Sequence, residues 1–159
     1  MKTFKDNAGR TWTIAVTVDA VKWVRDLLKE DLLDVENVLK RLLVDPILLC
    51  DVIYCVCKPQ ADAEQVSDVQ FAQAMAGETI AHAKTALVEE IVSFFPDPRD
   101  RENLGLAVEK FNAMADRARE LIRIRLQSPA LSQEIEAALS AVGVSFTNSP
   151  ESSESTPDR

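Results

Sequence analysis

The stretch Gly9-Arg10-Thr11-Trp12-Thr13-Ile14-Ala15-Val16-Thr17-Val18 decides how this chain begins. Trp12, Ile14, Val16 and Val18 alternate with Thr11, Thr13, Ala15 and Thr17, the period-two pattern of a strand with one buried face. Upstream, Thr3-Phe4-Lys5 supplies a short partner strand, and Asp6-Asn7-Ala8-Gly9-Arg10 between them has the length and the Asn/Gly content of a hairpin loop. Everything from Asp19 onward carries helical spacing. The expected fold class is mainly α with an N-terminal β-hairpin (α+β). Two strands are marginal in water by themselves, so the hairpin has to lean on its own helices or on another chain.

Six helices are expected. The first runs from Ala20 to about Glu30, with Asp19 as its cap and an apolar stripe through Ala20, Val21, Trp23, Val24, Leu27 and Leu28. The second follows Asp34, where Val35, Val38, Leu39, Leu42 and Leu43 repeat the spacing. Asp45-Pro46 restarts the chain, because Asp caps and Pro fits the first helical position. The third, Ile47 to about Cys57, is apolar nearly all round and belongs in the centre, with Lys58-Pro59 as its stop and Gln60 to Val66 as a polar loop. Ser67-Asp68-Val69-Gln70 is a capping box opening a fourth helix that reaches about Phe95, with Gly77 as a weak point for a bend or break.

Pro96-Asp97-Pro98 stops that helix and starts the fifth, which runs to about Leu126. Here Leu104, Val108, Phe111, Ala115, Ala118 and Ile122 alternate steps of four and three, a heptad-like seam widened by Ala107, Met114 and Leu121. The seam suits either an antiparallel hairpin with the fourth helix or self-association. A sixth helix begins at Ser128-Pro129 and ends near Val142, with Gly143 just past its end. From Thr147 the chain is Ser, Glu, Pro and Asp without apolar residues, a composition that cannot offset its ordering entropy. The expected organisation is a hairpin plus helical body over 1–95, a helical extension packed on it over 96–146, and a disordered polar tail over 147–159.

Chemistry-bearing motifs are scarce. The sole histidine, His82, and the odd cysteine cluster Cys50, Cys55 and Cys57 lack the ligand spacing of a metal site. There is no G-x-S-x-G, no G-x-G-x-x-G and no P-loop, and four glycines leave little room for a phosphate cradle. No cofactor and no enzymatic activity are expected. A net charge of −8 disfavours general nucleic-acid binding, which draws on Lys and Arg at phosphates. The most apolar run, Pro46 to Cys57, is too short to span a membrane. Clustered thiols and the missing secretory signal point to a reducing cytoplasm. Asp51, set inside that apolar run, is expected either at a wet edge or paired with a basic residue of a neighbouring helix, the second being the favoured resolution. Protein partners are the remaining expectation. The residues singled out for them are Trp12 and Trp23 as aromatic anchors, Phe111 in the seam, and Arg119 and Arg123 from the basic stretch Arg117–Arg125.

The opening Phe4-Lys5-Asp6, then Gly9-Arg10-Thr11-Trp12-Thr13-Ile14-Ala15-Val16-Thr17-Val18 feeding directly into Asp19-Ala20-Val21-Lys22-Trp23-Val24, resembles the tail assembly chaperones of tailed phages and prophages. Asp51-Val52-Ile53-Tyr54, Lys58-Pro59-Gln60-Ala61-Asp62 and Val66-Ser67-Asp68 with Phe71 resemble the middle of those proteins. The resemblance covers roughly residues 2 to 95. It implies a small non-enzymatic protein of the bacterial host cytoplasm that coats the tape measure protein, keeps its helices soluble and helps recruit tail tube subunits. It carries no catalytic residue over, and the two last helices exceed the shorter members. The reading it competes with is an oligomeric helical adaptor unrelated to tails.

Overall fold

In the computed structural model, residues 1–141 are described, and the expected end of the last helix and the polar tail lie outside them. The chain is mainly helical with an N-terminal hairpin, as its patterning predicts. Strands β1 (Lys2–Lys5) and β2 (Thr11–Ile14) pair antiparallel, Phe4 opposite Trp12. The turn closes through Asp6 N–H to the Arg10 carbonyl at 2.9 Å and Gly9 N–H to the Asp6 carbonyl at 3.0 Å. Gly9 has φ +85°, the left-handed conformation that a three-residue hairpin loop asks of its last position.

Among the described residues seven helices follow: α1 (Val18–Leu28), α2 (Val35–Val44), α3 (Pro46–Ala63), α4 (Asp68–Ala74), α5 (Glu78–Phe94), α6 (Pro98–Leu126) and α7 (Pro129–Ala141). Several boundaries differ from the expected ones for physical reasons. The strand stops at Ile14, and Val18 is the first residue of α1 and exposed, because Thr17 caps the helix in place of Asp19: its backbone is extended and its hydroxyl accepts from Ala20 N–H at 3.1 Å. Helix α3 passes through Pro59 and runs six residues beyond Cys57, with Ala61 fully buried. The expected fourth helix is two, since Gly77 at φ +57° interrupts α4 and α5 and makes seven helices of six. The capping box is present at Ser67 and Gln70, and Asp45 caps α3 through the N–H groups of Ile47 and Leu48.

The chain divides into two compact units, Met1–Ala107 and a second that begins at Val108. In the first, β1 lies against α5 and β2 against α3, while α1, α2 and α4 pack on α3. Helix α3 is thus central, as its nearly continuous apolar surface predicts. Trp12 and Ile14 are fully buried, and Trp12 meets Phe71 edge to face at 5.0 Å between ring centres, with Tyr54 tilted against the same ring. The second unit holds most of α6 together with α7. No residue of either helix is buried, so the seam of α6 is not sealed in the way a tightly packed helical hairpin would seal it.

Candidate functional site

Both edges of a two-stranded sheet carry backbone groups that demand partners. On β2 those partners come from one side chain of α3. The Gln60 amide oxygen accepts from Thr13 N–H at 3.0 Å, and its nitrogen donates to the Thr11 carbonyl at 2.8 Å. Gln60 therefore occupies the place of a neighbouring strand. The Cys57 thiol adds a contact to the Thr13 carbonyl at 3.6 Å. On β1, Thr79 of α5 donates to the Asn7 side-chain oxygen at 2.9 Å, with the Lys5 carbonyl at 3.4 Å. The hairpin is thereby fastened to its own helices.

Beside this fastening lies an open cleft of about 220 Å³ between β2, α1 and α3. Ala15, Ala20, Trp23, Val56 and Pro59 supply most of its apolar wall, with Gln60 at its rim. At this volume it is smaller than the roughly 300–1,000 Å³ of drug-sized ligand pockets. A second open depression, about 350 Å³, lies between α2, α3 and α5, where Leu42, Val44, Pro46, Leu49 and Ile80 line it. Val44 and the nearby Ile47 stand out to solvent.

The singled-out residues separate clearly. Trp12 is not an interface anchor: it is 0% exposed, and its indole N–H donates to Asp6 at 2.9 Å. The facing Phe71, 59 residues away in sequence, is what covers it. Trp23 is half-buried on α1 and walls the cleft. Phe111 is half-buried on α6, and Arg119 and Arg123 are exposed there. The two arginines already pair within their helix, Arg119 with Asp116 at 2.6 Å and Arg123 with Glu120 at 2.8 Å. What sequence reasoning missed is Gln60. It sits in a segment read as loop, and only the register of β2 against α3 gives its amide two backbone partners.

The ionisable groups follow burial. The Cys57 thiol is pushed up to about 12 by burial, and burial also raises Cys50 and Cys55, with the Asp51 charge adding to it. None of these thiols is free in the sense of a reactive thiolate at neutral pH. Asp51 does not pair with a basic residue. It is exposed at the wet side of α3, makes no ion pair among the described residues, and is held above the usual carboxylate range by partial desolvation and then by Asp68 and Asp45. Lys58 is raised by its hydrogen bond to Asp62 at 2.8 Å. Among the described residues no three His, Cys, Asp or Glu side chains gather as a metal-binding group, and no helix is long and apolar enough to cross a membrane. No protein-family model, no curated protein and no solved structure matches this chain.

Proposed function

We propose that this chain is a non-enzymatic binding protein, a tail assembly chaperone that holds helices of the tape measure protein and engages tail tube subunits in the host cytoplasm. The observation that carries the reading is Trp23, a half-buried tryptophan in the wall of an open apolar cleft, within the stretch of sequence that bears the resemblance. An amphipathic client helix is recognised by a few apolar anchors set into such depressions, and a few large aromatic side chains buried at the centre of an interface contribute most of its binding energy. The second depression, with Val44 and Ile47 exposed beside it, extends the apolar surface available in the same unit.

The test is co-expression with the tape measure protein encoded in the same genome. A soluble complex that co-purifies is expected, and Trp23→Ala should cut the client retained by at least tenfold with the far-UV circular dichroism unchanged. Unaltered client solubility and no complex with the intact chain would refute the assignment. Equal retention by Trp23→Ala would refute the cleft as its site.

A further inference from the structure

Arg10 closes the hairpin loop with a guanidinium that the chain leaves unanswered. Its nearest carboxylate, Asp6, stands 3.6 Å from Nε, beyond hydrogen-bond length. Both Asp6 oxygens already accept, one from Arg10 N–H at 2.8 Å and the other from the Trp12 indole at 2.9 Å. Nη1 is buried without an acceptor, and no guanidinium nitrogen of Arg10 makes a hydrogen bond among the described residues. Charged donors left this way are uncommon in folded proteins and call for an acceptor from outside the chain.

The Arg10 side chain is 30% exposed and lines an open depression of about 250 Å³ between the hairpin loop and α4. Asn7, Ala8, Gln70, Gln73 and Ala74 complete the lining. Its walls are tied together. Asn7 N–H donates to the Ala74 carbonyl at 3.1 Å, and the Asn7 side-chain amide donates to the Ala76 carbonyl at 3.2 Å. Gln70 is oriented by the capping box: its amide oxygen accepts from Ser67 N–H at 2.9 Å, which leaves the amide nitrogen as a donor with no acceptor among the described residues. Gln73 is exposed and its amide is likewise unengaged. In a chain of net charge −8, no acidic residue lines this depression. One guanidinium beside two unengaged amides asks for an oxygen acceptor. A carboxylate matches the guanidinium fork with two parallel bonds. Phosphate offers similar oxygens but brings a second negative charge toward Asp6, already 3.6 Å from Arg10, so the singly charged ion is favoured. We propose that the Arg10 depression is a carboxylate-binding site. It shares no residue with the Trp23 cleft and stands whether or not a client binds there.

The experiment titrates the isotope-labelled full chain and follows the Arg10 Nε–H and the Gln70 and Gln73 side-chain amides by NMR, with sodium chloride at matched ionic strength as the reference. The probes are N-acetylglycine for a chain end, N-acetylglutamic acid α-amide for an acidic side chain, and inorganic phosphate. Saturable shifts at these three side chains are expected, with a Kd of about 1–10 mM, and the tighter of the two carboxylates names the source. Arg10→Gln should raise that Kd at least tenfold, because the fork is lost. Gln73→Ala, at an exposed helical position, should raise it about threefold by removing one donor. Shifts no larger than those from chloride overturn the proposal, as does phosphate binding tighter than both carboxylates. An unchanged Kd in a folded Arg10→Gln chain overturns it too; should that variant fail to fold, an unchanged Kd in Gln73→Ala does the same.

Discussion

Asp6 is the side chain whose removal the structure prices most sharply. It is buried, with its carboxylate at 0% exposure. One oxygen accepts from Arg10 N–H at 2.8 Å and the other from the Trp12 indole at 2.9 Å. The Arg10 guanidinium approaches only through Nε at 3.6 Å, and its buried Nη1 has no partner, so the two N–H donors account for most of what Asp6 does. Asp6→Ala leaves a buried indole N–H and a turn N–H unsatisfied. At about 1.5–3 kcal/mol for each of the two hydrogen bonds to a charged group, the expected loss is roughly 3–6 kcal/mol. That is a large share of the about 5–15 kcal/mol by which domains are stable. Urea unfolding followed by circular dichroism measures it, with an unchanged m-value as the check that the denatured state is the same. A double-mutant cycle with Trp12→Phe isolates the indole bond and should return a coupling of about 1–3 kcal/mol. A loss below about 1 kcal/mol for Asp6→Ala, or a coupling indistinguishable from zero, would show that Asp6 does not tie the turn to the core.

Four further outcomes follow from the same geometry. Gln60→Ala should accelerate hydrogen exchange at the Thr13 amide by at least tenfold at small cost in global stability, since the freed edge faces water. Native alkylation at neutral pH, read by peptide mass spectrometry, should label the partly exposed Cys50 first and spare Cys57, whose thiol is pushed up to about 12. Asp51→Asn should raise Tm at pH 7 and lose that advantage as pH falls through the ordinary carboxylate pKa: a raised folded-state pKa means ionisation disfavours the fold, and below both pKa values neither state carries the charge. Gln65 sits at φ +55°, so Gln65→Gly should stabilise by about 0.5–1 kcal/mol in the same urea assay, strain relief outweighing glycine's entropy.

Local chemistry was readable wherever it is decided within a few residues. The Ser67–Gln70 capping box, the Asp45-Pro46 start of α3 and the weak point at Gly77 are each set by the geometry of one turn, and each appears where the pattern puts it. The alternation through Trp12 and Ile14 is equally plain. It misleads at Val16 and Val18 because period two in the side chains is also what an extended linker shows before a helix, and only the Thr17 hydroxyl on Ala20 N–H distinguishes them. Trp12 and Trp23 look alike in sequence. One is core and the other cleft because Phe71 faces the first, a contact no local pattern encodes.

Pro59 is the clearest case of tertiary structure overriding a local rule, and it also explains how the hairpin is held. Inside a helix, proline forfeits a hydrogen bond and crowds the preceding turn, at about 3 kcal/mol. The turn after it nonetheless stays helical, because several bonds depend on it. Gln60 can reach Thr11 and Thr13 only if α3 continues past Pro59 along β2. Ala61 is buried and accepts from Val66 N–H at 2.8 Å, Gln60 accepts from Glu64 N–H at 2.9 Å, and the Gln60 amide also donates to Glu64 at 2.7 Å. The Pro59 ring itself forms part of the apolar cleft wall with Trp23. The residue that reads as a helix stop thus lies in the turn that attaches the hairpin and in the wall of the cleft beside it. A marginal two-stranded sheet is held on both edges, β1 by α5 and β2 by the part of α3 that a local reading ends too soon.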